Sequence, residues 1–382
     1  MSETGAVFTY AYKHVGELAI HLDIYPPQNS SELDTRLLPA VIYFHGGALT
    51  VGNRTSWFPS WLHRRVVNLG MVFVSADYRL IPPSTGHDIL EDIKDLFSFL
   101  AHDVNRRIAE DWAARACAGH PVQIDPHSLA VSGSSAGVLC AYLAAAHASP
   151  RPKAVLSLYG MGGDMLTSHY LIPKTVPFFR GREILEPNDF SHYLYPAYRD
   201  LPAISDSPLA YHPLTYHIPG YPANARMLLG RLYLQMGIFL DYYTGCHDPS
   251  LSASLRTILR ERAQAGHGSM VVEDPGSQIA FDEFRETIPS AHRHLFPQFS
   301  MSSALPPMLL VHGSADTAVL VQESENLQSL LRDAGVLAEL VVVEGKEHSF
   351  DYELDAESEF GGPDGLFDRA VSFLAENLRR HA

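Results

Sequence analysis

The chain has 382 residues, of which 46% are hydrophobic and 19% charged, so it has the composition of a globular protein with ample material for a core. The formal net charge is −15 and no run of five basic residues occurs, which disfavours nucleic acid and anionic membrane surfaces as partners. No stretch approaches the roughly 20 apolar residues of a spanning helix. The N-terminus lacks a signal-peptide pattern, and three cysteines are too few for a disulfide framework, so we expect a cytoplasmic protein.

The first predicted elements are two antiparallel strands. In the segment LAIHLDIY, residues Leu18, Ile20, Leu22 and Ile24 alternate with polar residues, as in a strand with one buried face. The preceding segment AVFTYAY predicts a partner strand, joined to it by a turn near Gly16.

From Pro39 onward the pattern changes to short apolar runs that are typical of strands buried on both faces. Helical patterns separate most of these runs, at residues 87–102, 135–148 and 323–334. Such alternation predicts an α/β fold with a mostly parallel central sheet and helices on both faces. The runs are AVIYFHG, MVFVSADY, SLAVSG, AVLSLYG, PMLLVHG and AELVVVEG.

One connection is far longer than an ordinary loop, because 145 residues (161–305) separate two predicted strands. This segment holds 10 of the 18 tyrosines, whereas disordered segments are poor in aromatic residues. It also predicts a helix over 224–243 and another over 248–263, with Asp248 as N-cap and Pro249 in the first turn. We therefore expect a core of residues 1–160 and 306–382 and an ordered cap or lid of residues 161–305.

The candidate nucleophile lies where the run SLAVSG ends and a helix begins. A serine at a sharp strand-to-helix turn needs small residues two positions away on either side, which is the pattern Gly-x-Ser-x-Gly. In Gly133–Gly137, only Ser135 occupies its centre; Ser134 fills a variable position. A simple Gly/Ser turn is the alternative, because so short a match also arises by chance.

A serine hydroxyl needs a base that is oriented by a carboxylate, and in this kind of fold the order along the chain is serine, acid, histidine. Asp316 and His348 follow the last two predicted strands, on the edge where open α/β sheets place their sites. The acid could also be Asp164, Asp351 or Glu347. We favour Asp316, because the strand that ends at Gly313 fixes its starting point.

The negative charge that forms on the substrate oxygen requires backbone N–H donors already in place. The sequence His45-Gly46-Gly47-Ala48 leaves a predicted strand, and its glycines allow close approach of a substrate. Together with the N–H of Ala136, this segment is the candidate oxyanion hole, although an ordinary glycine turn is the alternative.

These residues together resemble the hormone-sensitive-lipase-like branch of the α/β-hydrolase superfamily. The resemblance rests on YFHGGAL, SADYRLIPP, GSSAG, HGSADTAV and LRDAGVLAELVVVEGKEHSF, in the family's order. It implies that Ser135 is the nucleophile, Asp316 the acid and His348 the base. It also implies an oxyanion hole formed by Gly46, Gly47, Ala48 and Ala136.

The sequence departs from this family in three places. Ala48 replaces the third glycine of the oxyanion segment, and Ser134 replaces the aspartate that commonly precedes the nucleophile. Strand patterns begin by Val7, where the family usually has cap helices, and the insertion 161–305 is correspondingly long. The family's substrate preference therefore does not transfer to this chain.

The leading functional hypothesis is a serine hydrolase that cleaves a carboxylic ester of a sizeable, mostly apolar substrate through an acyl-enzyme. One alternative keeps this machinery but releases acyl thioesters, transfers an acyl group or closes a ring, as in polyketide-type pathways. A remote alternative is a non-catalytic ligand-binding protein. No metal site is predicted, because His292 and His294 lack companion ligands at suitable spacing. Nothing in the sequence suggests an organic cofactor either.

The sequence of the insertion contains an apolar stripe whose role has two interpretations. Leu228, Leu232, Met236, Phe239 and Tyr243 recur near helical spacing. Such a stripe either packs into the core or roofs the pocket over the serine, and we slightly favour the roof.

Overall fold

An eight-stranded sheet runs through the centre of the computed structural model, which describes residues 7–27, 37–115, 120–210, 223–264 and 275–379. The strand order is β1-β2-β4-β3-β5-β6-β7-β8; β2 pairs antiparallel with both β1 and β4, and the other neighbouring pairs are parallel. The predicted mostly parallel α/β fold is thereby confirmed. The strands are β1 (Phe8–Val15), β2 (Leu18–Tyr25), β3 (Leu38–Phe44), β4 (Val72–Ala76), β5 (Ile124–Ser134), β6 (Val155–Leu158), β7 (Met308–Gly313) and β8 (Ala338–Val343).

Helices cover both faces of this sheet. Helices α1 and α13 lie on the face to which Tyr43 points, and α2, α4 and α11 lie on the face to which Phe44 points, because successive strand residues point to opposite sides. The helices are α1 (Ser60–Asn68), α2 (Gly86–His102), α3 (Val104–Ala114), α4 (Ala136–His147), α5 (Ser168–Leu171), α6 (Arg226–Met236), α7 (Phe239–Thr244), α8 (Leu251–Gln264), α9 (Pro275–Thr287), α10 (Ser290–Arg293), α11 (Val321–Asp333), α12 (Ala356–Phe360) and α13 (Leu366–Arg379). Short 3₁₀ helices lie at Pro187–Tyr193, Ala197–Asp200, Pro297–Phe299 and Phe350–Tyr352.

The central parallel strands β3 to β7 are buried along almost their whole length, as their apolar sequences predict. The prediction for β8 was wrong in this respect. This strand is the last in the sheet and has one neighbour, so Glu339 and Val342 are exposed and its other residues are only partly buried.

The segment between β6 and β7 carries helices α5 to α10. The single helix predicted over 224–243 is in fact two helices, α6 and α7. Gly237 adopts a left-handed conformation (φ 64°), and its N–H bonds to Leu234 O, which ends α6 as glycine commonly does.

The predicted start of the next helix was also wrong. Helix α8 begins at Leu251 rather than after Asp248, because the N-cap is Ser250, whose Oγ accepts the N–H of Ala253 at 3.0 Å. Among the described helices, none is both long enough and apolar enough to cross a membrane.

The fold brings four loops to one edge of the sheet. They follow the carboxyl ends of β3, β5, β7 and β8, which are mutually parallel and lie close together in the strand order. All the predicted site residues lie on these loops or at the start of α4.

Candidate active site

Ser135 lies at the sharp turn between β5 and α4. Its backbone has φ 53° and ψ −125°, a strained conformation for a residue with a side chain. A Cβ added to Gly133 would lie 2.5 Å from the carbonyl carbon of Gly137, and one added to Gly137 would overlap the carbonyl oxygen of Phe44. The two glycines are therefore required by close packing, as the Gly-x-Ser-x-Gly pattern predicts.

The structure brings the three predicted catalytic residues together. The Oγ of Ser135 lies 3.0 Å from Nε2 of His348, and Nδ1 of His348 lies 2.6 Å from Oδ2 of Asp316. Because a carboxylate only accepts, Nδ1 of His348 donates to Asp316, which leaves Nε2 free to accept the serine proton. This is the connectivity of a serine nucleophile, a base and an orienting acid.

The carboxylate of Asp316 is almost completely buried, with 5% of the residue exposed. Its Oδ1 accepts the backbone N–H groups of Ala318 and Val319 at 2.9 and 3.0 Å. Burial alone would raise the pKa of Asp316, but the hydrogen bonds from His312 and His348 hold it well below its ordinary value. The acid is therefore ionised at neutral pH.

His312 is a contact of this acid that the sequence analysis missed. It is fully buried at the end of β7, and its Nε2 lies 3.3 Å from Oδ2 of Asp316. The sequence did contain a sign of this contact, because His312 is a polar residue inside the apolar run PMLLVHG and lies four positions before the acid.

The other three candidate acids have different partners. Asp351 accepts hydrogen bonds from Trp61 Nε1 (2.9 Å) and Tyr159 OH (2.7 Å), and Asp164 accepts one from the Leu166 N–H (3.1 Å). Glu347 accepts from the hydroxyl of Thr317 and from the backbone N–H of His348 at 2.7 Å. Of the four candidate acids, Asp316 is the one bonded to the His348 ring.

The candidate oxyanion segment lies directly against the nucleophile, since a Cβ on Gly46 would be 3.3 Å from Cβ of Ser135. Gly47, Ala48 and Leu49 all have positive φ angles, of 106°, 53° and 63°. Within the residues described, the N–H groups of Gly47 and Ala48 donate to no protein acceptor. Both donors are therefore available for a substrate oxygen.

Ala136 supplies the other predicted donor. It is the first residue of α4, and the first N–H groups of a helix have no acceptor within that helix. The positive end of the α4 dipole adds to the attraction for a negatively charged oxygen.

His45 holds the oxyanion segment in place through its contacts with Gly46 and Tyr78. This imidazole stacks on Tyr78 at 4.4 Å, its Nδ1 donates to Gly46 O at 2.7 Å, and the Tyr78 hydroxyl donates to His45 O at 2.7 Å. Burial lowers the pKa of His45 to about 4, so the ring is neutral and acts as a structural support.

Ser134, which replaces the usual aspartate, belongs to a buried polar network. Its Oγ lies 2.7 Å from Tyr43 OH. Tyr159, which donates to Asp351, also packs edge-on against the His348 ring at 4.7 Å. Burial raises the pKa of Asp351. The hydrogen bonds that Asp351 accepts from Trp61 and Tyr159 anchor the loop that carries His348.

Of the two histidines considered as metal ligands, His292 has both ring nitrogens bonded to other side chains. His292 Nδ1 lies 2.7 Å from His87 Nε2, and its Nε2 lies 3.1 Å from Cys246 Sγ. Among the described residues, only Glu353, Asp355 and Glu359 have ligand atoms close enough to share an ion, and all three are exposed. They lie outside the triad.

Comparison with known proteins identifies two family models. One, described as alpha/beta hydrolase fold, matches residues 41–217, and one described as the prolyl oligopeptidase family matches residues 270–361. The first of these spans the oxyanion segment and the nucleophile, and the second spans the acid and the base.

Two curated relatives show different kinds of similarity. A probable carboxylesterase, M8 of Phoma sp., is 26% identical over 152 residues, which are 39% of this chain and 46% of that protein. The non-reducing polyketide synthase ausA of Aspergillus calidoustus is 25% identical over 98% of this chain, but over 14% of the synthase. The chain thus spans less than half the length of these relatives.

Solved structures share the fold. An α/β-hydrolase superfamily protein from Enterococcus faecalis has a TM-score of 0.54 at 15% identity, covering 94% of this chain and 96% of that one. The butyrate-bound esterase Est2 of Thermogutta terrifontis has a TM-score of 0.52 at 17% identity, covering 100% and 96%. At such low identity, these likenesses establish the architecture alone.

Proposed function

We propose that this chain, which belongs to the α/β-hydrolase superfamily, is a serine hydrolase that cleaves a carboxylic ester of a sizeable apolar substrate. The observation that carries the proposal is the continuous hydrogen-bonded line from Ser135 through His348 to Asp316. A buried acid, an oriented imidazole and an activated hydroxyl in this order are what acyl transfer to serine requires.

In the first step, Nε2 of His348 takes the proton of Ser135 as Oγ attacks the ester carbonyl carbon. The imidazolium that forms is stabilised by the ionised Asp316. The carbonyl oxygen becomes an anion, to which the N–H groups of Gly47, Ala48 and Ala136 would donate hydrogen bonds.

Collapse of this intermediate breaks the bond to the alcohol oxygen, which receives its proton from His348. The acyl group then remains on Ser135 as an ester. A water molecule, deprotonated by the same imidazole, attacks the acyl carbon through a second oxyanion, and the acid product leaves with the serine restored.

Two observations support an ester with an apolar group. The curated relative M8 is named as a probable carboxylesterase, and the structural relative Est2 is an esterase that was solved with butyrate, a carboxylate with a short apolar chain, bound.

A second candidate function has its own support. The similarity to a polyketide synthase runs along almost the whole chain, including the insertion, whereas the match to the carboxylesterase is local. In such a synthase, an acyl-serine step would release a chain from a thioester. The same triad would then discharge a thioester, with water, another hydroxyl or an internal hydroxyl as acceptor.

The test is a screen of esters and thioesters of increasing acyl length, with product analysis. We expect turnover by the wild type and a loss of several orders of magnitude in Ser135→Ala, with a similar loss in His348→Ala. Ser134→Ala is the matched control, because its Oγ bonds to Tyr43 and not to the base.

A fluorophosphonate probe should label Ser135 alone. Labelling of Ser134, or labelling that persists in Ser135→Ala, would contradict the assignment. Free acid as the product supports hydrolysis, whereas a lactone or a transferred ester supports the second candidate.

A further inference from the structure

The hydrogen-bonded line of the triad extends further inward than its three members. His312 touches Asp316 Oδ2 with Nε2 at 3.3 Å, and the same Nε2 lies 2.9 Å from the carbonyl oxygen of Val319. Its other nitrogen, Nδ1, lies 2.7 Å from Oγ of Ser324, a residue in the first turn of α11. Both His312 and Ser324 are buried, with 0% and 1% exposed.

These contacts determine which nitrogen donates. A carbonyl oxygen and a carboxylate only accept, so Nε2 of His312 carries the proton and shares it between Val319 O and Asp316 Oδ2. In the neutral ring Nδ1 is then an acceptor, and the hydroxyl of Ser324 is its donor. The acceptors at Nε2 select this tautomer, and the hydroxyl of Ser324 stabilises it by donating to Nδ1.

The acid as a result has a defined set of donors. Oδ1 accepts the N–H groups of Ala318 and Val319, and Oδ2 accepts His348 and His312. The two backbone donors hold one oxygen of the carboxylate. His312 holds the other oxygen, the one that orients the base.

We infer that His312 is a positioning residue, which holds Oδ2 of Asp316 in line with Nδ1 of His348, and that Ser324 supports His312 by donating a hydrogen bond to its Nδ1. This inference rests on the proposed hydrolase function. His312 does not touch substrate; it acts through Asp316.

The experiment compares His312→Leu, His312→Gln and Ser324→Ala with wild type, using an activated ester and the rate of fluorophosphonate labelling. We expect kcat to fall about 10- to 100-fold in His312→Leu with little change in KM, the size expected for a hydrogen bond to a charged group. His312→Gln, whose amide N–H can replace Nε2–H, should recover much of this loss. Ser324→Ala should lose several-fold.

Thermal unfolding of each variant shows whether the protein is folded at the assay temperature. His147→Leu is the matched control, because this half-buried imidazole bonds to the carbonyl oxygen of His294 and not to the acid. If His312→Leu does not fold, His312→Gln and Ser324→Ala decide the question, since both changes are small.

Two results would overturn the inference: wild-type kcat in folded His312→Leu, or a glutamine variant no better than leucine. Ser135→Ala and His348→Ala, assayed alongside, separate this failure from failure of the proposed function. If they are inactive while His312→Leu is fully active, the hydrolase proposal stands and only the role of His312 is refuted.

Discussion

The insertion touches the oxyanion segment at one point where no space is left. Gly230, in α6, faces Ala48, and a Cβ added to Gly230 would lie 2.2 Å from Cβ of Ala48. Nonbonded carbon atoms prefer separations of about 3.5–4.0 Å. In Gly230→Ala, the helix and the oxyanion segment must therefore move apart by about 1.5 Å.

Neither side of this contact can move freely. The guanidinium of Arg226, in the first turn of α6, donates to Thr50 O at 2.9 Å and to Pro82 O at 2.6 Å. These bonds tie the helix to the loops around the site, so the displacement reaches Ala48 and its neighbour Gly47. A shift of about 1 Å in a catalytic group can cost roughly 100-fold in rate, and we expect a loss of that size in kcat.

The effect on stability should be smaller. Overpacking typically costs about 1–3 kcal/mol. Replacing glycine by alanine inside a helix returns about 1 kcal/mol. The free energy of unfolding of Gly230→Ala should therefore fall by up to about 2 kcal/mol, so the protein stays folded at assay temperature while its activity is lost.

The reciprocal change provides the decisive assay. In the double variant Ala48→Gly/Gly230→Ala the added methyl group occupies the space that Ala48 vacates, so kcat should recover most of its loss. A double-mutant cycle in kcat/KM measures the coupling. Gly362→Ala is the control, because a Cβ at that position meets nothing within 4 Å.

Activity of Gly230→Ala within about threefold of wild type would refute this reasoning. So would a double variant as inactive as Gly230→Ala. Either result would mean that the helix and the oxyanion segment are not in contact in solution.

Three further predictions concern the acid, a buried carboxyl group and the insertion. Asp316→Asn should lose most activity in ester assays, whereas Asp351→Asn and Asp164→Asn should keep a good part; the opposite order would assign the acid elsewhere. Burial raises the pKa of Glu323 to about 8, although the hydrogen bonds that the carboxylate accepts act in the opposite direction. The folded protein therefore binds this proton more tightly than the unfolded chain does, and the free energy of unfolding falls as pH rises from about 4.5 to 8. Urea unfolding of Glu323→Gln should therefore show a gain over wild type at pH 8 and none at pH 4.5. Phe239→Ala should lower stability by about 3–5 kcal/mol without changing chain-length preference, because only 1% of the side chain is exposed.

The expectation that the apolar stripe of the insertion roofs the pocket finds little support in the structure. Four of its five residues are buried in the larger of the two core clusters, and Phe239 packs against Tyr170 at 5.8 Å. The contact between this helix and the site is made instead by Gly230, which no hydrophobic pattern could single out.

The sequence predicted the elements whose determinants are local. Continuous apolar runs define buried strands, and the order of the motifs places Ser135, Asp316 and His348 on neighbouring strand ends, because parallel strands share one edge. The helix boundaries that it missed depend on single residues within a segment whose pattern is strongly helical. Gly237 separates α6 from α7, and Ser250 caps the start of α8.

Contacts between distant segments were not predictable in this way. His312 and Ser324 are brought together by the packing of α11 on β7, and Ala48 meets Gly230 across 182 residues of chain. Helices α1, α3 and α13 were not predicted either.

The insertion contacts the predicted site at two places, the oxyanion segment and the acid. At the oxyanion segment the joint is the contact of Gly230 with Ala48. At the acid it is the first turn of α11, where Glu323 accepts hydrogen bonds from the Gly162 N–H and from Tyr170 OH, two residues of the insertion. The adjacent Ser324 bonds to His312, which in turn touches Asp316. A substrate that displaces the insertion would therefore disturb the oxyanion donors and the acid together, so substrate size should act on kcat as well as on KM.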